Sequence, residues 1–245
     1  MIRKAFAKIG YFALKIGMRL PEIGPITRFS EQGHIIDLLD ELKINYVLDV
    51  GAHDGTFAKH LRMGGYEGNI LCFEPITVNC DSIKRLASGD PTWQIFNFAL
   101  GDEYGIKPFN ICSDRTVLSS FLHFSDEKDP SNRIESITIR RMDNVLDELI
   151  PDTGMARIFL KIDTQGYDVE VLRGCGRWIE KCLALQSEVS VCPVYRDMPH
   201  YTEALAYYES LGFSLLDLYV VWRNRQRSVS EYDCIMARLD QFGLS

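Results

Sequence analysis

The sequence predicts a doubly wound α/β fold: a mostly parallel sheet with helices on both faces and an antiparallel hairpin at its C-terminal end. Short apolar runs alternate with helical patterns over most of the chain, which is typical of parallel sheets. The last two strand-like runs, 213–218 and 233–238, have no helix between them and should pair antiparallel at one edge. The chain has 245 residues, 46% of them hydrophobic and 25% charged, which is enough to bury a core without disulfides or metal.

The first half of the chain gives three strands that each end in or near a turn signal. The run YVLDV at 46–50 stops at Gly51, as a buried parallel strand should. The predicted strands are 46–50, 69–73 and 93–99, and the predicted helices are 31–42, 56–63 and 78–86. Between 101 and 140 the alternation breaks down, so we treat this stretch as an inserted strand and loop region. Strand-like pieces at 107–111 and 136–139 flank a polar stretch, 126–132, that reads as an exposed loop.

The second half returns to strict alternation. It contains strands at 157–162 and 183–189 and helices at 142–149, 168–172 and 201–211. Gly174 and Gly176 break the short helix that starts at Asp168, and Gly212 is a natural end for the last helix.

Positive charge is concentrated at the N-terminus. Residues 1–20 carry five basic residues and no acid, a charge of +5, so the rest of the chain carries 22 − 34 = −12. Wound as a helix, this segment has an apolar face opposite a basic face, and Pro21, Gly24 and Pro25 end it. It either packs over the main domain as a cover for the site, which we favour, or lies peripherally on an anionic membrane. We assign residues 1–40 to this N-terminal helical segment and 41–245 to the main domain.

Composition excludes several classes of function. A pI of about 5.3 argues against a nucleic-acid binder, and no apolar run is long enough to span a bilayer. Lys8 and Lys15 interrupt any secretory signal. Seven cysteines without a CxxC pair indicate free thiols in a reducing, cytoplasmic compartment, and no residue set has the spacing of a metal site.

The first chemical signal is the run DVGAHDG, which follows the first strand directly. Glu74 ends the next strand, 25 residues after Asp49, where an acid can accept two hydrogen bonds from a ribose diol. A glycine turn together with this acid predicts an adenosyl ligand. No phosphate-binding GK[ST] is present, and His53 stands where a dinucleotide motif needs its middle glycine. Asp49 suits a ligand that presents an amine, as the methionine part of S-adenosylmethionine does.

The second signal is a pair of acids after two later strands. Asp163 follows the strand 157–162, and Glu188 ends the next strand in a comparable position. Such acids face the ligand crevice of a doubly wound sheet and could orient or deprotonate a hydroxyl. The alternatives are that they only bind water or cap a loop, or that they hold a magnesium ion. His123 could reach the cleft from the inserted region.

The runs DVGAHDGTF, CFEP, FALGD, LKIDTQGYDVEVLRG and QSEVS resemble the FkbM-type methyltransferases over roughly residues 45 to 215. The resemblance implies a class I methyltransferase with a seven-stranded, Rossmann-like sheet that uses S-adenosylmethionine. It usually implies transfer to an oxygen of a saccharide or polyketide acceptor. Carried over by motif, the cofactor residues are Asp49, Gly51, Ala52, His53, Gly55, Thr56, Phe57, Glu74, Pro75, Asn97, Ala99 and Leu100. Ser119 and Ser120 match a position near the substrate cleft, where we also place His123, and Asp163 and Glu188 are the candidate catalytic residues.

Two departures from the family pattern stand out: His53 replaces an asparagine, and Gln165 replaces a glutamate. The second removes a negative charge close to Asp163. Because of this missing charge, one alternative is a non-catalytic module that binds an adenosyl ligand. Another alternative is an N-methyltransferase. Our interpretation is an O-methyltransferase with a small-molecule or saccharide acceptor. The sequence is silent on the acceptor and on the oligomeric state.

Overall fold

The computed structural model describes Lys15, residues 24–125, Ser131 and residues 133–242. Its helices are α1 (Gly24–Glu41), α2 (Thr56–Met63), α3 (Thr77–Leu86), α4 (Met142–Leu149), α5 (Asp168–Arg173) and α6 (Tyr201–Ser210). Its strands are β1 (Tyr46–Val50), β2 (Asn69–Phe73), β3 (Trp93–Phe96), β4 (Ala99–Gly101), β5 (Gly105–Ile111), β6 (Arg133–Arg141), β7 (Ile158–Ile162), β8 (Cys182–Ser190), β9 (Ser214–Arg223) and β10 (Val229–Ala237). Short 3-10 turns lie at Thr116–Leu118, Gly176–Lys181 and Leu239–Gln241.

The main sheet has seven strands in the order β3-β2-β1-β7-β8-β10-β9. The pairs from β3 to β8 are parallel, and β10 runs antiparallel to both β8 and β9. This confirms the predicted doubly wound sheet with an antiparallel C-terminal hairpin at its edge, which is the class I methyltransferase arrangement. The order reverses at β1, so the crevice of the fold lies beyond the carboxyl ends of β1 and β7.

The inserted region forms a second sheet, in the order β4-β6-β5. The predicted single strand 93–99 is wrong, because β3 ends at Phe96 and β4 belongs to this second sheet. The chain turns at Asn97, after the end of β3. The side-chain amide of Asn97 donates to the carbonyl oxygens of Glu74 (3.0 Å) and Pro75 (2.9 Å). Sequence periodicity cannot show such a side-chain contact.

Apolar side chains fill the space on both faces of the main sheet. One core contains buried residues of α1, α2 and α3 packed on Val47 and Phe159. The other contains residues of α4, α5 and α6, together with the small sheet, packed on Leu48 and Leu160. This alternation along β1 and β7 is what a strand buried on both faces requires. The five parallel strands of the main sheet present their carboxyl ends at one edge.

Several predictions fall outside the described residues. The amphipathic segment 1–20 lies outside them except for Lys15, and so does most of the loop 126–132. Helix α1 begins at Gly24 with Pro25 in its first turn, where a missing backbone N–H costs nothing. Within the described ranges no helix is long and apolar enough to cross a membrane. Six of the seven cysteines are buried, and Cys192 is exposed.

Candidate active site

A cleft opens at the carboxyl edge of β1, β2 and β7 and is walled on one side by the inserted region. Its lining comes from the turns after these strands, from β4 and β5, and from the 3-10 turn. The lining residues are Val50, Gly51, His53, Phe73, Glu74, Pro75, Ile76, Asn79, Ala99, Leu100, Phe109, Thr116, Val117, Ser119, Phe121, Asp163, Thr164, Gln165 and Tyr167. The site is therefore assembled from segments that are more than a hundred residues apart.

Gly51 allows the turns after β1 and β7 to touch. Its φ of 75° is left-handed, and a Cβ built there would lie 2.0 Å from the carbonyl oxygen of Asp163. Only glycine tolerates both the backbone angle and the contact. The turn that carries the candidate cofactor residues is thus braced against the turn that carries the candidate catalytic acid.

Glu74 is a buried carboxylate at the end of β2, with 4% of its surface exposed. Its Oε2 accepts from the His53 backbone N–H (2.9 Å), and its Oε1 accepts from the Ile76 backbone N–H (2.8 Å) and the Asn79 amide (3.3 Å). Burial raises the pKa of Glu74 to about 7, although these hydrogen bonds act in the opposite direction. The side chain is oriented and lines the cleft, as a ribose-binding acid should be.

His53 connects the β1 turn to the inserted region. Its backbone is left-handed (φ 48°), and its Nε2 lies 2.9 Å from Oγ1 of Thr116 on the 3-10 turn. Thr116 has no counterpart in the sequence motifs, so sequence reasoning missed it. This contact spans the cleft beside Glu74 and narrows that end of it.

Asp49 lies beneath the cleft rather than on its lining. It is fully buried, and its Oδ1 lies 3.1 Å from Nζ of Lys161, which also donates to the carbonyl oxygen of Gly51 (3.0 Å). Burial raises the pKa of Asp49, while the lysine charge lowers it. Burial disfavours the charge on Lys161, but Asp49 and Asp163 outweigh it and raise the pKa of the lysine. Asp49 and Lys161 form a buried ion pair that fixes the turn after β1.

Asp163 and Glu188 sit at the ends of neighbouring strands, β7 and β8, as predicted. About a third of the Asp163 side chain (35%) is exposed, and its Oδ2 lies 3.5 Å from Nζ of Lys161. Burial and the nearby charges of Asp163, Glu231 and Asp233 raise the pKa of Glu188 well above its usual range. Asp163 lines the cleft, and the amide of Gln165 lies between it and Glu188.

The turn after β7 is held by a buried acid that the sequence did not single out. Asp168, at the start of α5, accepts from the backbone N–H and the hydroxyl of Thr164 and from Ser187 (2.9 Å). Burial raises the pKa of Asp168 to about 6. Its role is to fix the loop that carries Thr164 and Gln165.

The predicted site residues divide into two groups. Those that line the cleft are Gly51, His53, Glu74, Pro75, Ala99, Leu100, Ser119 and Asp163, and those that do not are Asp49, Ala52, Gly55, Thr56, Phe57, Asn97, Ser120, His123 and Glu188. Two members of the second group brace the loops around the cleft: Asn97 holds the Glu74 loop, and Ser120 donates to the carbonyl oxygen of Gln165 (2.8 Å). His123 is exposed, and the structure places it away from the lining.

Sequence reasoning also missed the aromatic wall formed by Phe109, Phe121 and Tyr167. The ring centroids of Phe109 and Phe121 are 4.8 Å apart, and those of Phe121 and Tyr167 are 5.0 Å apart. These residues come from β5, the following loop and the start of α5, so no motif links them. Lys161 lies inside the motif LKID, but a lysine in a predicted buried strand does not by itself indicate a function.

This arrangement can be compared with known proteins. The model of the FkbM methyltransferase domain matches residues 49–215, about two thirds of the chain, and covers every strand-end turn described above. The chain belongs to the FkbM methyltransferase family. The methyltransferase sdnD of Sordaria araneosa is 25% identical over 166 residues, which span 58% of this chain and 64% of that protein.

Solved methyltransferase structures give weaker matches. The magnesium protoporphyrin IX methyltransferase of Synechocystis PCC 6803, solved with bound S-adenosylmethionine, has a TM-score of 0.48 at 9% identity and covers 97% of this chain and 95% of its own. The 1,6-didemethyltoxoflavin-N1-methyltransferase of Burkholderia thailandensis has a TM-score of 0.47 at 8% identity and covers 97% and 87%. The account of the site therefore depends on the geometry of this chain.

The cofactor of this family is S-adenosylmethionine, and the cleft fits it. Glu74 offers an oriented carboxylate for a diol, and Gly51 lets the two turns that line the cleft approach each other. Ala99 and Leu100, from the FALGD run, give an apolar wall suited to a base. Within the described part of the chain, no group of three or more His, Cys, Asp and Glu side chains is arranged to hold a metal ion.

Proposed function

We propose that this FkbM-family chain is an S-adenosylmethionine-dependent O-methyltransferase that acts on a hydroxyl of a saccharide or natural-product acceptor. The observation that carries the proposal is the placement of Asp163. Its carboxylate lines the same cleft as Glu74 and Gly51, and its partly exposed side chain is open to an incoming acceptor. Glu74, Gly51 and the candidate base thus face one space.

Cofactor binding falls to the β1 and β2 turns. We assign Glu74 to the ribose hydroxyls, Ala99, Leu100 and the Asn97-braced loop to the adenine, and the turn from Gly51 to Phe57 to the remainder. Asp49 acts from below, because its ion pair with Lys161 holds the Gly51 carbonyl and so the turn. His53, Ser119 and Thr116 border the side from which an acceptor would enter.

When bound, S-adenosylmethionine supplies a methyl group made electrophilic by its sulfonium. The protein's part is to place an oxygen in line with that methyl and to exclude water. We assign the acceptor's proton to a carboxylate oxygen of Asp163, because an alcohol is a poor nucleophile until its proton starts to leave. Glu188 stands behind Asp163, and the aromatic wall of Phe109, Phe121 and Tyr167 keeps the cleft dry.

The proposal is tested with the full chain, S-adenosylmethionine carrying a ¹³C-methyl group, and a panel of saccharides and hydroxylated natural products. Release of S-adenosylhomocysteine identifies the acceptor, and the NMR shift of the labelled methyl shows whether it is attached to oxygen or nitrogen. Label found on nitrogen would make the chain an N-methyltransferase. Cofactor binding without turnover on a panel that includes amines would favour a non-catalytic module.

The catalytic assignment has its own test. Asp163→Asn should lower turnover at least about a hundredfold while changing S-adenosylhomocysteine affinity less than about tenfold, because a positioned base contributes about 10²–10⁴-fold. Glu188→Gln should act in the same direction more weakly. Asp40→Asn is the matched control, because Asp40 is exposed near the end of α1. Wild-type turnover in Asp163→Asn would remove the base assignment, and equal losses of binding and turnover would make Asp163 a cofactor residue.

A further inference from the structure

Gln165 occupies the position between the two candidate catalytic acids. Its amide nitrogen Nε2 lies 3.1 Å from Oδ1 of Asp163 and 3.4 Å from Oε1 of Glu188. An amide nitrogen has two hydrogens, so it can donate one to each carboxylate. The side chain therefore bridges the ends of β7 and β8 through the groups on which the proposed chemistry depends.

The opposite end of the same amide is also engaged. The hydroxyl of Tyr195 lies 3.0 Å from Oε1 of Gln165 and 2.9 Å from the carbonyl oxygen of Leu118. Tyr195 is 2% exposed, and its ring packs on Phe124 with centroids 4.6 Å apart. With the two acids as acceptors on one side and a hydroxyl donor on the other, the amide has one favourable orientation.

The backbone of Gln165 is held as firmly as its side chain. It is left-handed (φ 53°), as is that of Gly166 (φ 91°), and the Gln165 carbonyl accepts from the hydroxyl of Ser120. A side-chain-bearing residue keeps this conformation only where its surroundings over-determine it. The bridge is thus part of a fixed loop rather than a chance contact of a surface side chain.

The charges around the bridge explain why an amide suits this position. Asp163 and Glu188 face a set of ionisable groups on every neighbouring element: Lys161 on β7, Asp49 on β1, Asp168 on α5, Tyr195 after β8, and Glu231 and Asp233 on β10. Asp233 is the direct cross-strand partner of Glu188. A glutamate at position 165 would add another carboxylate to this set, whereas the amide adds two donors and no charge.

We propose that Gln165 is a positioning residue for the acid pair, donating to both Asp163 and Glu188 and so fixing the Asp163 carboxylate where it faces the cleft. This rests on the proposed function, in which Asp163 receives the acceptor's proton. On this view the glutamine that replaces the family's glutamate is no loss of catalytic machinery, because it holds the Asp163 carboxylate in the orientation that faces the cleft.

A test without the acceptor uses two ligands that differ where the methyl would be. Sinefungin is an S-adenosylmethionine analogue with an amine-bearing carbon in place of the methylated sulfur, and S-adenosylhomocysteine has a neutral thioether there. The ratio of their affinities, measured by calorimetry at pH 7, reports the negative charge facing the methyl position. In the wild type the ratio should favour sinefungin, and it should fall towards one in Asp163→Asn.

Gln165→Met removes both donors at similar size. It should lower the ratio about tenfold at pH 7, since a hydrogen bond to a charged group is worth about that much. S-adenosylhomocysteine affinity should stay within about threefold. Tyr195→Phe keeps the ring, loses the hydroxyl and should shift the ratio in the same direction by less.

Gln94→Met is the matched control, because Gln94 is exposed on β3 at the far edge of the sheet. A wild-type ratio in Gln165→Met, with thermal unfolding unchanged, would overturn the bridge while leaving the Asp163 assignment intact. Equal loss of both ligands' affinities would make Gln165 merely structural and would also overturn it. If Asp163→Asn leaves the ratio at the wild-type value, the assignment of Asp163 as the base is wrong, and the proposal for Gln165 is wrong with it.

Discussion

At the residue scale, the environment of Glu74 has two opposing effects on cofactor binding. The side chain is held facing the cleft, and its burial raises its pKa to about 7. Only the ionised form can accept from both hydroxyls of a ribose diol. Cofactor affinity should therefore depend on pH in a range where most carboxylates do not titrate.

We expect S-adenosylhomocysteine affinity to fall as the pH drops from 7 to 5, because Glu74 then takes up a proton. Glu74→Ala should weaken binding at pH 8 by about 1.5–3 kcal/mol, tenfold or more, and should flatten the pH profile. Titration calorimetry measures both. Glu67→Ala is the control, since Glu67 is exposed before the opposite end of β2. If the affinity of the wild type for S-adenosylhomocysteine does not change with pH, Glu74 is ionised both in the free chain and in the complex.

Gly51 is the second decisive residue, and Gly33 is its natural comparison. Gly51→Ala must relieve both a left-handed backbone and the contact with the Asp163 carbonyl, so it should cost at least about 2 kcal/mol of unfolding free energy. Gly33 lies exposed within α1 with open space around it, so Gly33→Ala should stabilise by about 0.5–1 kcal/mol. Chemical denaturation distinguishes the two, and equal effects would mean that the β1 and β7 turns separate at little cost.

At the scale of elements, the pairing of β1 with β7 carries the buried ion pair of Asp49 and Lys161, which are direct register partners. A buried charge without its partner is costly, whereas removal of both charges is tolerated far better. The pair therefore links the stability of two strands to the position of the Gly51 turn.

Lys161→Met should destabilise the chain by about 3–5 kcal/mol, and Asp49→Asn combined with it should recover part of that loss. In the single variant Asp49 has lost the charge that lowers its pKa, while an unfolded aspartate ionises near pH 4. The folded form then holds its proton more tightly, so stability should fall as the pH rises above about 4. Chemical denaturation at pH 5 and pH 8 measures the free energy of unfolding of Lys161→Met relative to the wild type. A smaller difference at pH 8 than at pH 5 would contradict this expectation.

At the scale of the whole molecule, charge is divided between a basic N-terminal segment and an acidic remainder. Helix α1 packs on the sheet, with Glu31 accepting from Gln186 on β8 (2.5 Å). The role of the basic segment as a cover for the cleft is tested by removing it.

Deleting residues 1–20 should lower methyl transfer without changing flotation on anionic vesicles. Turnover and vesicle flotation of the full and shortened chains, measured at the same ionic strength, decide between the two roles. Flotation of the full chain that disappears on deletion would favour the membrane alternative, since basic amphipathic helices bind anionic surfaces.

The sequence by itself determined the sheet and the motif-bearing turns. Strands β1 and β2 and helices α2 and α4 have the bounds that periodicity predicts, because each is a local pattern of apolar and polar residues with a turn signal at its end. Spacing also placed Glu74 and Asp163 at strand ends that meet in one crevice.

Only the tertiary structure decided which side chains meet there. It moved Asp49 beneath the cleft by pairing it with Lys161, ended β3 at Asn97, brought Thr116 to His53, and put the amide of Gln165 between Asp163 and Glu188. Each of these contacts joins residues on different turns, or fixes a rotamer and an amide orientation. Such choices depend on burial and on the charges of neighbouring strands, and a one-dimensional pattern of polarity does not encode them.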